Sequence, residues 1–146
     1  MSAAPAFEFV EGVTSDLTFI ARGATLPELF RAASEALLAA SLADPTRVES
    51  RERHLIALEE PDCELLLLRF LSELIFLRDA RKLLLRAGEL TVTADGAVAR
   101  VAGVLCGERF DPARHRLTHD VKAATAYDLA IVRDANGYGV RVTLDV

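Results

Sequence analysis

The 146-residue chain contains only two cysteines, and this scarcity excludes a disulfide framework as the basis of its fold. Cys63 and Cys106 lack the CxxC spacing of a structural zinc site, and each lies beside apolar residues, as half-buried thiols usually do. A chain of this length buries roughly two-thirds of its unfolded surface, so its core needs neither a crosslink nor a zinc ion. We therefore expect a single domain that spans residues 1–146.

A surplus of positive charge and a long apolar run are also missing. The chain has 17 Lys and Arg against 22 Asp and Glu, a net charge of -5, which argues against a protein that binds nucleic acid directly. It has no stretch of roughly 18 apolar residues that could span a membrane. Residues 1–20 carry Glu8, Glu11 and Asp16, where a signal peptide would need a basic start and an apolar centre. We expect a cytoplasmic protein without membrane contact.

The common catalytic signatures are absent as well. The sequence contains no GxSxG, Walker loop, GxGxxG or HExxH motif, and no serine has a histidine placed locally to activate it. The sequence therefore gives no support to a nucleophilic enzyme.

The hydrophobic pattern predicts an α+β fold with two helices packed on one face of a mixed or antiparallel sheet of six or seven strands. Thr25, a proline and Glu28 form a capping box, and helical spacing continues to about Ser41. Asp62 caps a second, more apolar helix. An interrupted strand is expected at residues 7–10 and 17–21, and further strands are expected at residues 47–59, 83–86, 90–93, 98–106, 121–132 and 138–146.

The last two strands flank Asn136-Gly137, the strongest hairpin signal in the sequence. If these two residues form the loop, Leu129 pairs with Leu144 and Asp128 lies directly opposite Asp145. Carboxylates that face each other across strands are destabilising unless a cation lies between them, and the Val146 carboxylate adds a third negative group. Calcium, magnesium or manganese would suit such oxygen ligands. The hairpin alone also fits a frayed chain end whose charges are solvated.

His115 and His119 have the spacing of a metal-binding pair on a helix. The preceding Asp111-Pro112 does not favour a helix, so we interpret these histidines as part of a solvated loop.

Four stretches of the sequence share their order and spacing with one known family. They are residues 7–10 with 13–16, residues 23–33, residues 107–125 with Gly-Glu, Asp-Pro, Arg-His and Lys-Ala-Ala-Thr, and residues 144–146. Together they resemble the archease family of small α+β proteins over nearly the whole chain. Val13 stands where the family has a histidine, and Thr-Ala-Tyr at 125–127 replaces the usual Thr-Tyr-His, so the chain resembles a divergent, bacterial-type member.

The resemblance implies an accessory protein rather than an enzyme. Archeases promote multiple turnover by the RtcB-type RNA ligase in tRNA splicing and RNA repair, so the implied partner is such a ligase. The resemblance also implies a divalent-metal site formed by Asp16, Asp145 and the terminal Val146, with calcium favoured and magnesium or manganese as alternatives. Asp128 is an added suggestion that rests only on the expected strand pairing.

Two other functions stay open on the sequence. One is a chaperone-like or metal-binding protein-interaction module without a ligase partner. The other is a free-standing metal-dependent hydrolase, which is disfavoured because no histidine or lysine is evidently placed as a general base beside Asp16 and Asp145.

Overall fold

Two α-helices and eight β-strands are the regular elements of the computed structural model, which describes residues 5–12 and 16–146. In chain order these elements are β1 (Phe7–Val10), β2 (Asp16–Gly23), α1 (Leu26–Ser41), β3 (Glu52–Glu60), α2 (Cys63–Arg81), β4 (Leu83–Asp95), β5 (Val98–Arg109), β6 (Ala123–Thr125), β7 (Ile131–Asp134) and β8 (Gly137–Asp145). A short 3-10 helix, Pro45–Arg47, separates α1 from β3.

Both helices begin at the residues that the sequence indicates. The Thr25 hydroxyl accepts a hydrogen bond from the Glu28 N–H, and the Glu28 carboxylate accepts one from the N–H of Ala24. At α2 the Asp62 carboxylate accepts the N–H of Leu65 at 2.8 Å. These contacts satisfy N–H groups that have no partner inside the first helical turn, and they explain why the helices begin at these residues. Both predicted helix starts are confirmed.

The α+β class is confirmed, but the strands form two antiparallel sheets rather than the single sheet that the sequence suggests. The five-stranded sheet has the order β1-β2-β8-β6, and β7 also pairs with β8. The three-stranded sheet has the order β3-β5-β4. Each helix contacts strands of both sheets, so the helices provide an apolar surface that the two sheets share.

One large hydrophobic cluster joins the two helices to the two sheets. Phe30 of α1 and Phe70 of α2 are both fully buried, with ring centroids 5.3 Å apart. Phe19 of β2 pairs with Val142 of β8, and both side chains are completely buried. Because side chains alternate along a strand, burial of this row leaves the neighbouring residues of β2 and β8 on the opposite face of the sheet.

Residues 83–95 form one long strand, where the sequence suggests two strands with a break. The break is a β-bulge between Ala87 and Leu90, and α1 partly satisfies its main-chain groups. The Ala87 N–H donates to Ser34 Oγ, and the Gly88 carbonyl accepts from Arg31. Opposite the bulge, Gly103 has φ 153°, and a Cβ there would lie 2.1 Å from the Glu89 carbonyl oxygen. A side chain at this position would therefore force the two strands apart.

The final hairpin exists, but its predicted register is wrong. Asp134 pairs with Gly137 and Ile131 with Val140, so the loop is Ala135-Asn136 and each pairing is displaced by two residues. The Asp134 carboxylate accepts the N–H of Asn136 at 2.7 Å, and Gly137 uses its positive φ of 128° as the first strand residue. A displacement of two preserves which face each side chain occupies, so the expected division of β8 into two faces remains valid.

Candidate metal centre

Asp16 and Asp145 are directly opposite each other on two adjacent central strands. Asp16 is the first residue of β2, Asp145 is the last residue of β8, and the antiparallel register pairs them although 129 residues separate them in sequence. Side chains paired in this way have Cβ atoms about 4.5–5.5 Å apart. Among the described residues, neither carboxylate has an ion pair or a side-chain hydrogen bond.

The segment on the other side of Asp145 is β6 rather than a continuation of the last hairpin. Ala123 is the strand partner of Asp145, and the Lys122 N–H donates to the Asp145 carbonyl oxygen at 2.7 Å. Val146 follows directly, and its half-buried side chain packs against the edge of the core. The main chain around Asp145 is therefore held on both sides, which fixes the backbone position from which its side chain projects.

Asp128, suggested from the strand pairing as an additional ligand, does not face Asp145. The residues between β6 and β7 leave the sheet, and Asp128 lies exposed in this loop with φ 53°. The Leu129 N–H donates to the Ala126 carbonyl, which closes a turn in the segment that was expected to be strand. The suggestion failed because it depended on one uninterrupted strand over residues 121–132.

A row of three threonines lies beside the two aspartates on the same face of the sheet. Thr18, Thr143 and Thr125 are strand partners on β2, β8 and β6, two residues along each strand from Asp16, Asp145 and Ala123. The Oγ1 atoms of Thr18 and Thr143 are 3.3 Å apart and buried, and Thr125 Oγ1 donates to the Thr143 carbonyl at 2.9 Å. This row was not predicted from the sequence, although the two-residue spacing of Thr18 from Asp16 and of Thr143 from Asp145 was the signal for it.

The donor set at this position fits a hard divalent cation. Two carboxylates held opposite each other repel, at a cost of a few tenths to about 1 kcal/mol, and a cation between them would remove that cost. Oxygen ligands at strand ends, with space for water, suit calcium, magnesium or manganese better than zinc. Within residues 5–12 and 16–146 no cluster of three His, Cys, Asp or Glu side chains could hold a metal, so within this range Asp16 and Asp145 would need an oxygen ligand of another kind, such as the main-chain oxygen of Val146.

Of the two positions at which the sequence departs from the family pattern, the structure describes one. Val13 lies outside the described residues. Tyr127 is exposed in the loop that follows β6.

A second carboxylate, Glu108, is buried among groups that fully neutralise it. It is only 4% exposed, and its carboxylate pairs with Arg114 and accepts the N–H of Glu49. His115 Nε2 lies 3.4 Å from Glu108 Oε2, and His115 Nδ1 accepts the N–H of Asp111 at 2.9 Å. Burial alone would raise the pKa of Glu108, but the Glu49 N–H, Arg114 and His115 together lower it below its ordinary value.

This cluster corrects the expectation of a fully solvated histidine loop. The segment is a loop, but the His115 side chain is buried beneath it, where its Nδ1 accepts the Asp111 N–H and its Nε2 lies close to the Glu108 carboxylate. His119 is exposed and its Nδ1 lies 3.0 Å from the Ala40 carbonyl, so the two rings do not form a ligand pair.

The two thiols are half-buried, as predicted. Burial raises the pKa of Cys63, and the nearby Glu64 and Asp62 raise it further, so this thiol is a poor nucleophile at neutral pH.

No helix within the described part of the chain is long and apolar enough to cross a membrane.

Comparison with known proteins gives a consistent result. The archease protein family matches residues 7–146. Protein archease of Aeropyrum pernix is 32% identical over 134 residues, which cover 91% of this chain and 92% of that protein. Protein archease of Methanosarcina acetivorans is 29% identical, with 96% and 95% covered.

Two solved structures have the same fold. The solution structure of protein 1598 from Methanobacterium thermoautotrophicum has a TM-score of 0.81 and 28% identity, and the match covers 97% of this chain and 99% of that one. The crystal structure of a Thermotoga maritima protein, described as "an archease, possible chaperone", has a TM-score of 0.60. Its match covers 95% of this chain and 98% of that one, but its identity is 16%, so this second likeness shows the fold alone.

Proposed function

This chain belongs to the archease family, and from that premise we propose that it is a non-catalytic accessory protein that promotes multiple turnover by an RtcB-type RNA ligase. The proposal assigns it to tRNA splicing and RNA repair in the cytoplasm. It includes a divalent-metal site formed by Asp16, Asp145 and Val146, with calcium as the preferred ion and magnesium or manganese as alternatives.

The observation that carries the metal part of the proposal is the direct pairing of Asp16 with Asp145. Two carboxylates without a protein cation between them are unusual on adjacent strands, because like charges opposite each other weaken the pairing. A divalent ion bound between the two carboxylates would make the same arrangement favourable. When bound, the ion would supply positive charge that neutralises the two carboxylates.

The chain's own residues determine how such a site would be held. The Lys122 N–H bond to the Asp145 carbonyl and the pairing of Asp145 with Ala123 hold the main chain of Asp145 directly opposite Asp16. Thr125 binds the neighbouring Thr143 carbonyl, which ties β6 to β8 just below the aspartates. A site built on paired strands is more rigid than one on loops, so cation binding needs little rearrangement.

The net charge of -5 supports a protein partner with a basic surface rather than direct contact with RNA. An enzyme that binds RNA carries positive charge, and an acidic accessory protein is attracted to such a surface during encounter. In this proposal the RNA specificity belongs entirely to the ligase.

The test of the ligase role is ligation of RNA ends by a purified RtcB-type ligase under multiple-turnover conditions, with and without this protein. We expect more product per ligase with the protein present, and loss of that gain in Asp145→Asn. Asp128→Asn is the matched control, because Asp128 is exposed and makes no ion pair among the described residues. Equal product with and without the wild-type protein, combined with no detectable complex, would reject the ligase role.

A chaperone-like or metal-binding interaction module without a ligase partner is the alternative function. It predicts that Asp145→Asn weakens calcium binding while neither the wild-type protein nor the variant changes ligation. Titration of calcium, magnesium and manganese by calorimetry, run beside the ligation assay, therefore separates the two functions.

A further inference from the structure

The strand β3 is one edge of the three-stranded sheet. It has nine residues, Glu52–Glu60, and pairs with β5 on one side only, with no other strand of the described chain on its second side. The unpaired N–H and C=O groups of such an edge can accept another strand, and natural proteins commonly cover or distort edges of this length. Here the central part of the edge is apolar.

Leu55 is the most exposed large hydrophobic residue of the described chain, with 79% of its surface accessible. It lies on the outer face of the sheet, between Arg53 and Ala57 on the same strand and opposite Val104 of β5. The face also carries Glu59, which forms an ion pair with Arg100 at 3.4 Å. This face therefore carries an exposed leucine between one cation and one anion, and the two charges lie three residues before and three residues after Ile56.

Arg53 and Glu59 have opposite charges and lie at equal distances on either side of Ile56, the central residue of the strand. If a second β3 pairs antiparallel with Ile56 opposite Ile56, Arg53 of each copy faces Glu59 of the other. In the same register Leu55 faces Ala57, and all nine residues are paired. The two-fold arrangement keeps outward residues opposite outward residues, as the pleat requires.

We propose that β3 is a homodimer interface, in which two copies of this chain join their three-stranded sheets into one six-stranded sheet. Each Glu59 then lies between Arg100 of its own chain and Arg53 of the second copy. The like-charged Glu52 and Glu60 meet at the two ends of the register, but Glu60 is already neutralised by Arg69 of α2 at 2.9 Å.

Helix α2 extends the same surface. Leu65, Arg69, Ser72 and Phe76 follow one another at helical spacing and so lie on one stripe, and the Arg69 contact to Glu60 directs that stripe toward the β3 side. Leu65 is 44% and Phe76 is 54% exposed, although both are large apolar residues. Two copies joined through β3 bring these stripes toward each other, which adds apolar area to the strand pairing.

The experiment is sedimentation velocity of the full chain over micromolar to millimolar concentrations, with charge-reversal variants. We expect the wild-type mass to rise toward twice 15.9 kDa, and Arg53→Glu and Glu59→Arg each to weaken dimerisation by roughly tenfold or more, because each places like charges opposite each other twice. An equimolar mixture of the two variants should form heterodimers, since both cross-strand pairs then become attractive again. Loss of folding could not produce that recovery.

Arg116→Glu is the control, because Arg116 is exposed and has no ion pair within the described residues. It should dimerise like the wild type. A wild-type mass that stays at 15.9 kDa throughout would overturn the proposal, and so would variants that dimerise as well as the wild type. A monomeric chain whose β3 instead binds a foreign strand would also overturn it. None of these outcomes depends on ligase activation.

Discussion

Two acidic regions of this protein handle negative charge in opposite ways. Glu108 is buried, and the protein itself supplies its partners: Arg114, His115 and the N–H of Glu49. Asp16 and Asp145 face each other at the open end of two strands and have no protein cation among the described residues. Glu108 is therefore neutralised by the folded chain itself, whereas the paired aspartates would be neutralised only by a cation from solution, as the proposed metal site requires.

The strongest test of this difference is to remove each carboxylate. Glu108→Ala should lower the free energy of unfolding by about 3–5 kcal/mol, because it leaves Arg114 and a buried N–H without their acceptor. Asp145→Ala in metal-free buffer should change it by less than about 1 kcal/mol. Urea denaturation of both variants measures this. Equal losses in the two variants would erase the distinction between the regions.

Acid should weaken the contribution of the Glu108 region to stability. The folded-state pKa of Glu108 lies below the ordinary glutamate value of 4.5, so protonation favours the unfolded chain. The stabilisation from Glu108 is therefore fully present above about pH 4.5 and is lost as the pH falls through the lower folded-state pKa. The stability gap between the wild type and Glu108→Gln, measured by denaturation at a series of pH values, should be constant near neutrality and shrink in acid. A gap that widens below pH 4.5 would contradict the lowered pKa.

Divalent cations should act on the aspartate region alone. Calcium should raise the thermal midpoint of the wild type, because a ligand that binds only the folded chain stabilises it. Asp16→Asn and Asp145→Asn should each weaken calcium affinity by roughly tenfold or more, which is about 1.4 kcal/mol. Without calcium both should be as stable as the wild type or slightly more so, since repulsion is removed. Isothermal titration and calorimetric melting measure the two effects, with Asp128→Asn as the unaffected reference.

The smallest expected effect separates the aspartates from the threonines beneath them. Thr143→Val removes the Thr18 hydroxyl contact and should cost about 0.5–1.5 kcal/mol of stability, with calcium affinity changed by less than it is in Asp145→Asn. Parallel melting and titration of this variant test that ordering. A loss of affinity as large as that of Asp145→Asn would make the threonine row part of the metal site.

The features that could be predicted from sequence depend on short-range signals. The Thr25 and Asp62 caps act on N–H groups three residues away, so the local pattern contains all of the relevant contacts. The alternation of β8 likewise determines its two faces, which is why Asp145 could be assigned to the polar face even though the hairpin register was wrong by two residues.

The features that could not be predicted are set by distant contacts. Nothing near Glu108 in the sequence shows that the Glu49 N–H will meet its carboxylate, or that His115 will turn inward instead of toward water. The division into two sheets depends on where α1 and α2 pack. The pairing of Asp16 with Asp145 follows only from the complete β2–β8 ladder, and its metal role stays a prediction.

The position of β8 has a consequence for how the protein is made. β8 comes after the other seven described strands, yet it pairs with β2, β6 and β7. During synthesis, which adds about 5–20 residues each second from the N-terminus, none of these three ladders can form before residues 137–145 have left the ribosome. Phe19 therefore remains without its strand partner Val142 during most of translation. Until β8 has been synthesised, the exposed Phe19 side chain is a site at which the nascent chain could aggregate. The synthesis of β8 completes both the sheet and the pairing of the two aspartates.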